Sequence, residues 1–381
     1  MKIVHMADSH LGFSNYSRVD KNGRNLVEEM IYQGFGQAVD EIIRLRPDAV
    51  VHAGDVFHHV RPKIRPLFVF QQALGRLRDE GIPVIIISGN HDAPKGLAST
   101  SPFVIYEGMK DVSIARRYRH ECFQVGDHNF HCIPFCFEAG DYLKEFDKIE
   151  RSDSDVLVMH GLAEALKSKK LRTVGEHELK DSLLKSDFDY IALGHYHGQA
   201  QIAGNAWYSG SIEYFTFGEA ADDKGMLLVD LESGKAKQIE VRPRYMVDYP
   251  AVDCSGLSSS EIASELMTIF EQEEIKDRII RINLTKVSRA AYRSIDQSKL
   301  ARLMAPALYF KIKVDYIDQA LRKEEPINTR MLHEEFARFL DEEIGRGTVP
   351  KSIQEEVRSY GTGLIKRAVE AHNTEALNAP E

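Results

Sequence analysis

Short apolar runs recur through the first two hundred residues, and each stops on a polar side chain of one kind. Ile3–Ala7 leads into Asp8-Ser9-His10, Ala49–Ala53 into Gly54-Asp55, and Val84–Ser88 into Gly89-Asn90-His91-Asp92. Val156–Met159 leads into His160-Gly161, and Tyr190–Leu193 into Gly194-His195-Tyr196-His197. Runs this short, rich in Val, Ile and Ala and closed by glycine or polar residues, predict buried strands. Between the first three, Arg24–Leu45 and Pro66–Glu80 carry apolar residues at helical spacing and end at Arg46-Pro47 and Gly81-Ile82-Pro83. The resulting β-α-β-α-β order requires right-handed crossovers and a mainly parallel sheet. Residues 121–137 and 199–245 alternate as antiparallel strands do, with turns at Gly126-Asp127 and Glu232-Ser233-Gly234. The expected architecture is α/β: a two-sheet sandwich flanked by helices.

The pattern changes after residue 245. Arg242-Pro243-Arg244 to Pro250 reads as a boundary, followed by a Ser-rich turn. Glu261–Glu273 is then helical, Arg278–Val287 a strand, Asp296–Met304 a helix and Phe310–Tyr316 a strand. This predicts a small α+β domain over 250–322, beside a main body of 1–245. A Glu-Glu-Pro hinge at Glu324–Pro326 precedes a helical segment over 328–372. Its first helix, capped by Asn328 or Thr329, places Leu332, Phe336, Phe339, Leu340 and Ile344 on one face. Gly345-Arg346-Gly347 breaks it. Pro350 opens the second helix, with a Ser352/Glu355 capping box and Ile353, Val357, Tyr360, Leu364 and Ala368 at helical spacing. Two short amphipathic helices after a hinge must pack on something.

Composition narrows the class. With 381 residues, 43% hydrophobic and 28% charged, the chain has ample core for two or three domains. No apolar run has the length of a membrane span, and Met1-Lys2 leads straight into a strand, so a cytoplasmic protein without a membrane segment is expected. The four cysteines show no zinc-finger spacing, which agrees with a reducing compartment. A net charge of −9 argues against nucleic acid as a partner until its distribution is read. Residues 276–323 carry twelve Lys/Arg against four Asp, a net of +8, whereas 324–381 carry a net of −5. A basic module inside an acidic chain permits a local DNA-binding surface.

The strand ends carry the chemistry. Ligands of open α/β sheets bind beyond the carboxyl ends of the strands, where these carboxylate, amide and imidazole groups would converge. A carboxylate such as Asp55 can bridge two cations at the roughly 3.5–4 Å spacing of two-metal sites. Imidazole with carboxylate suits Mn²⁺, Fe²⁺ or Zn²⁺ without any thiolate. Gly194 and Gly198 are expected to relax the backbone around His195 and His197. Taken singly, each residue has a plain structural reading: Asp8 as a helix cap, Asn90 in a turn, a histidine hydrogen-bonded in the core. Five such endings in order point instead to a metalloenzyme.

The ordered set Asp8-x-His10, Gly54-Asp55, Gly89-Asn90-His91-Asp92, His160 and Gly194-His195-x-His197 resembles the calcineurin-like metallophosphoesterase superfamily. Gly54-Asp55 continues as Val56-Phe57-His58-His59-Val60-Arg61-Pro62, without the Asp-Arg-Gly of the Ser/Thr phosphatases. That departure, His5–Gly12 and Trp207–Ser211 are similar to one branch, the double-strand-break repair nucleases of the meiotic-recombination-eleven type in their archaeal form, with bacterial SbcD more distant. The motifs span about residues 1–245; beyond them the resemblance rests on domain order and length.

The resemblance implies a β-sandwich flanked by helices, a capping domain and a helical tail. It implies two divalent ions, Mn²⁺ by preference, one held by Asp8, His10 and His197, the other by Asn90, His160 and His195, with Asp55 bridging. His91 would stand outside the ligand set and stabilise the transition state or leaving group, fixed by Asp92. His58 would contact phosphate or orient a ligand, unless it is simply a solvated loop histidine beside His59. His5 and His52 read as core or supporting residues. The implied activity is 3′-to-5′ double-strand exonuclease and single-strand endonuclease action on DNA ends. A phosphodiesterase or phosphatase acting on other substrates, or a non-catalytic DNA-binding scaffold, are the rivals.

Three surfaces follow. Lys286, Arg289, Arg293 and Lys299, in and beside a loop between a strand and a helix, would hold DNA phosphates, or would simply be solvated. A homodimer would use the helix carrying Leu67, Phe68, Ala73, Leu74 and Leu77 together with Phe103–Tyr106, unless both stripes face the sheet. The tail would grip the coiled-coil root of a Rad-fifty-type ATPase, or fold back on the catalytic body.

Overall fold

A computed structural model describes residues 1–16, 18–94, 100–164, 166, 178–272, 275–317, 332–345 and 350–364. In chain order the first part runs β1 (Lys2–Met6), α1 (Leu26–Leu45), β2 (Ala49–His52), α2 (Ile64–Asp79), β3 (Val84–Ile87) and β4 (Val112–Ala115). Next come β5 (Glu121–Val125), β6 (His128–Ile133), α3 (Ala139–Phe146), β7 (Asp155–His160), and the short pair β8 (Leu162–Ala163) and β9 (Glu178–Leu179). There follow α4 (Asp181–Leu184), β10 (Tyr190–Gly194), β11 (Ala200–Gln201), β12 (Ala206–Tyr208), β13 (Met226–Asp230) and β14 (Lys235–Ile239).

Two six-stranded sheets result, in the orders β14-β13-β1-β2-β3-β4 and β11-β12-β10-β7-β6-β5. The centre of each is parallel, β1 through β4 in one and β12, β10, β7 and β6 in the other. Antiparallel partners lie at the other edges, β13 and β14 in the first sheet and β5 and β11 in the second, while β4 is a parallel edge. The expected antiparallel pairs are present in both stretches, but β6 and β12 within them also pair in parallel, with β7 and β10.

Strands β2 and β3 are buried along their whole length because both of their faces are covered. Val4, Met6, Val50 and Ile86 pack under α1 and α2. Their neighbours Ile3, Val51, Ile85 and Ile87 meet Phe130, Val156 and Val158 of the second sheet. Alternation along each strand thus joins the helical layer to the sandwich core. A third apolar layer, with Leu157, Met159, Ile191 and Leu193, covers the far face of the second sheet.

Helix ends follow local chemistry. Asn25 caps α1 by accepting from the Glu28 amide at 3.1 Å, and Arg46 ends it with φ 48° just before Pro47.

Beyond β14 lie β15 (Met246–Asp248), β16 (Val252–Asp253), α5 (Ser259–Gln272), β17 (Ile279–Val287), α6 (Arg289–Arg293), α7 (Gln297–Leu303) and β18 (Tyr309–Tyr316). Their sheet has the order β15-β17-β16, with β18 also beside β17. The chain divides into two compact units. One holds residues 1–252, 260–284 and 296–313; the other holds 253–259, 285–295 and 314–381. Helix α6 occupies the segment expected to be a loop. Ser288 caps it by accepting from the Ala291 amide at 3.2 Å, so Arg289 and Arg293 are helical.

In the second unit the tail forms α8 (Leu332–Gly345), then a 3₁₀ turn Lys351–Ile353 that leads into a helix over 354–364. The expected caps Asn328 and Thr329, and Ala368, lie outside the described residues. Gly361 lies so close to the Phe336 ring that a Cβ there would collide with it, and Arg358 pairs with Asp341, so the two helices pack on each other. No described helix is long and apolar enough to cross a membrane.

Candidate metal centre

The carboxyl ends of β1, β2, β3, β7 and β10 bring one residue set together from two sheets. Asp8, His10 and His197 offer donor atoms within 4.8 Å of one another, and so do Asp55, His160 and His195. Asp55 Oδ2 lies 3.4 Å from His160 Nε2 and 3.8 Å from His10 Nε2, between the two groups. Asn90 Oδ1 lies 2.9 Å from His195 Nδ1 and 3.1 Å from His160 Nε2. All seven residues singled out as ligands in the sequence therefore meet at one place.

The backbone there is bent to the purpose. Asp8, His10, Asp55 and His195 have φ of 53°, 43°, 54° and 101°, in the left-handed region that side chains avoid. Such strain, about 1–3 kcal/mol per residue, collects at functional sites and persists only where packing enforces it. His195 takes the bend itself; Gly194 and Gly198 do not show the positive φ expected of them. Gly194 is needed for another reason: a Cβ there would collide with the Ala53 carbonyl. Gly54, at φ 97°, likewise admits no Cβ against the His160 ring.

Two of the rings are oriented by their outer nitrogens. His160 Nδ1 donates to the Ala53 carbonyl at 2.8 Å, which turns Nε2 toward Asp55. His197 Nδ1 donates to Glu219 Oε1 at 3.2 Å, leaving Nε2 3.1 Å from His10 Nε2. This is the arrangement that fixes the tautomer of a metal-binding imidazole. Behind the site, His5 and His52 are buried, and burial brings each down to about 3, so both are neutral. His5 donates to the Leu193 carbonyl at 3.2 Å and accepts from the Tyr190 hydroxyl at 2.9 Å. His52 lies 2.8 Å from Ser9 Oγ.

The electrostatics favour cations. Burial raises Asp8, partly offset by His160 and His197. Burial also works to raise Asp55, but His160 and His10 outweigh it and hold that carboxyl well below its usual range. Burial opposes charge on His160, yet Asp55 and Asp8 push it up to about 9. Two buried carboxylates thus draw positive charge into a pocket of imidazole and amide donors. That set suits divalent first-row ions.

His91 and His58 adjoin the centre. With His10 they form a further group of donors within 4.8 Å. The His91 amide donates to Asp55 Oδ1 at 2.8 Å, and its Nδ1 donates to the His58 carbonyl at 3.0 Å. The expected contact from Asp92 to His91 is not made. Asp92 instead accepts from the amides of Gly89 (2.7 Å) and Phe57 (3.2 Å), closing the turn that carries Asn90 and His91.

Some participants carried no motif. Phe215 lies edge-on to His10 and His197, with ring centroids 4.8 and 5.1 Å away, and Phe13 lies edge-on to His58 at 4.9 Å. Glu219, at the end of a short 3₁₀ turn, and Lys224, in the loop after it, show no periodicity or ligand spacing, so only the fold reveals them. Of the four basic candidates, Lys286, Arg289 and Arg293 belong to the second unit and Lys299 to the first. Lys286 Nζ pairs with Asp253 at 2.7 Å, and Arg289 lies 4.8 Å from the Tyr316 ring centre.

Comparison with known proteins agrees with this chemistry. The calcineurin-like phosphoesterase family model matches residues 1–199. The DNA double-strand break repair protein Mre11 of Methanococcus maripaludis is 27% identical over 269 residues, 65% of this chain and 69% of the relative. That of Methanocaldococcus jannaschii is 28% identical over 268 residues, with the same coverage, 65% and 69%. That of Sulfurisphaera tokodaii is 30% identical over 200 residues, 51% of this chain and 49% of the relative. With the family matched over more than half its length and a donor set made for divalent metal, this chain belongs to the calcineurin-like phosphoesterase family and is a metal-dependent phosphodiesterase.

Proposed function

We propose that this protein is a Mn²⁺-dependent nuclease that processes DNA double-strand breaks, with 3′-to-5′ double-strand exonuclease and single-strand endonuclease action. The observation that carries the reading is the complete seven-residue donor set, in a chain whose relatives include DNA double-strand break repair proteins. Asp8, His10 and His197 would hold one ion and Asn90, His160 and His195 the other, with Asp55 shared. Bound there, two divalent ions would supply a hydroxide at neutral pH and neutralise charge on the phosphoryl oxygens.

The chain's own residues do the rest. His160 and His197 hold their outer nitrogens against Ala53 and Glu219, so it is Nε2 of each that faces the donor cluster and would give up its proton to a bound cation. His91, its Nδ1 committed to the His58 carbonyl, can carry a proton on Nε2 for the leaving oxygen. His58 lines the same wall and contacts the phosphate. Phe13 and Phe215 shield the imidazoles from water.

Residues 1–245 form the nuclease body, 250–322 a DNA-binding cap using Lys286, Arg289, Arg293 and Lys299, and 328–372 a docking segment for a Rad-fifty-type ATPase. Two copies associate through the outer face of α2, and the enzyme works in the cytoplasm on DNA ends. The test is a digest of labelled hairpin DNA beside a bis-phenyl phosphodiester, with Mn²⁺ added or withheld. Metal-dependent cutting of the hairpin supports the reading. Cutting of the small ester alone favours a phosphodiesterase for other substrates, and cutting of neither favours a scaffold.

A further inference from the structure

Glu219 lies on the 3₁₀ turn Phe217–Glu219 and is only 9% exposed. Its Oε1 accepts from His197 Nδ1 at 3.2 Å, and its Oε2 accepts from Lys224 Nζ at 2.8 Å and from the Phe215 amide at 3.2 Å. Lys224, 4% exposed, also donates to the His197 carbonyl at 3.0 Å and to Ser211 Oγ at 2.9 Å. Lys224 therefore holds His197 twice, directly at the backbone and through Glu219 at the ring.

A buried carboxylate or ammonium alone is costly. Together they cancel, so the pair adds no net charge beside the donor cluster. With the Lys224 ammonium and the Phe215 amide both donating to Oε2, the Glu219 carboxylate turns an acceptor, Oε1, toward His197. An acceptor at Nδ1 forces the proton onto that nitrogen and leaves Nε2 free for a ligand bond. The other centre is built differently: His160 donates to a neutral carbonyl, that of Ala53. A charged acceptor makes the stronger hydrogen bond and the more basic imidazole.

We propose that Glu219 and Lys224 are a positioning pair that fixes the ring and tautomer of His197, and so sets the affinity of the Asp8/His10/His197 position independently of the Asp55/His160/His195 position. The proposal rests on the reading of His197 as a metal ligand.

The experiment titrates the full-length chain with Mn²⁺ alone, by calorimetry and by electron paramagnetic resonance, in wild type, Glu219→Gln and Lys224→Gln. In the wild type two ions should bind and show an exchange-coupled signal. In Glu219→Gln one binding step should weaken about 10–100-fold while the other stays put, leaving a six-line mononuclear signal at one equivalent of Mn²⁺. Lys224→Gln, which keeps a donor for the His197 carbonyl, should weaken the same step by a smaller factor, and it carries the test if Glu219→Gln does not fold. Unchanged steps in a folded variant overturn the proposal. So does equal weakening of both steps with a lower melting temperature, which would make the pair merely structural. A wild-type chain that binds no Mn²⁺ would instead refute the metal assignment of His197 itself.

Discussion

The Asp55 carboxylate accepts the backbone amide of His91 at 2.8 Å, while its second oxygen faces His160 Nε2 at 3.4 Å. One side chain therefore ties the turn that carries His91 to the centre of the donor cluster. In the proposed mechanism proton handling and metal holding fall to different, adjacent residues, which makes them separable by substitution.

Stability should depend on pH through Asp155 at the start of β7. Burial works to raise this carboxyl, but Ser152, which donates from its amide and hydroxyl at 2.6 Å, together with Arg151 and Asn129, holds it well below its ordinary value of 3.8. A depressed value means stabilisation present above 3.8 and lost as pH falls. Asp155→Ala should cost about 2 kcal/mol at pH 7. In denaturant unfolding the gap to wild type should shrink at acid pH. A gap that stays constant from neutral to acid pH would rule out the carboxylate as its source.

DNA affinity should depend on the basic module. Replacing Lys286, Arg289, Arg293 and Lys299 by Gln should weaken binding and flatten its salt dependence, by roughly 0.9 in the log–log slope for each phosphate no longer neutralised. Lys286 already pairs with Asp253, so it should contribute least of the four. An unaltered slope over a salt titration would exclude these residues.

Periodicity located the apolar stripes of α2 without saying which way they face. Ala73, Leu74 and Leu77 are buried under the sheet and Leu67 packs against the same core, whereas Ile64 and Phe68 are 85% and 54% exposed. Ile105 is also exposed, and Phe103 is not. A change at Leu67 would disturb the fold, so the dimer is better tested at the exposed positions. Ile64→Asp with Phe68→Asp should give a folded chain of half the wild-type mass in light scattering. Wild-type mass in that variant would exclude this face.

Strand ends and long helices were legible because burial on a regular element leaves a period in the sequence. Helix α1, expected from Arg24 to Leu45, spans Leu26–Leu45. The seven donors were legible because each closes such a strand. Three things left no period. Helix α6 makes little more than one turn of helix, too short to repeat. Glu219 and Lys224 reach His197 from a short 3₁₀ turn and the loop after it, through contacts that only tertiary folding creates. The His91 ring takes its partner from a backbone carbonyl, which every residue carries and no side chain announces.

The tail presents apolar groups even after its helices pair. Phe339, Tyr360 and Leu364 are 58%, 67% and 46% exposed, while Leu340 is buried. Deleting residues 328–381 should abolish co-purification with the ATPase and leave metal-dependent cleavage intact. A truncated chain that still captures the ATPase, or that precipitates unfolded, would show that the helices serve the rest of the protein.

The separation of metal holding from proton handling is tested most directly by elemental analysis of purified Asp55→Asn and His91→Leu, paired with their cleavage rates on DNA. Asp55→Asn should lose bound metal. His91→Leu should keep both ions and cleave at least about 100-fold more slowly, the scale of a lost general acid. An emptied site in His91→Leu, or wild-type cleavage by that variant, would contradict the account.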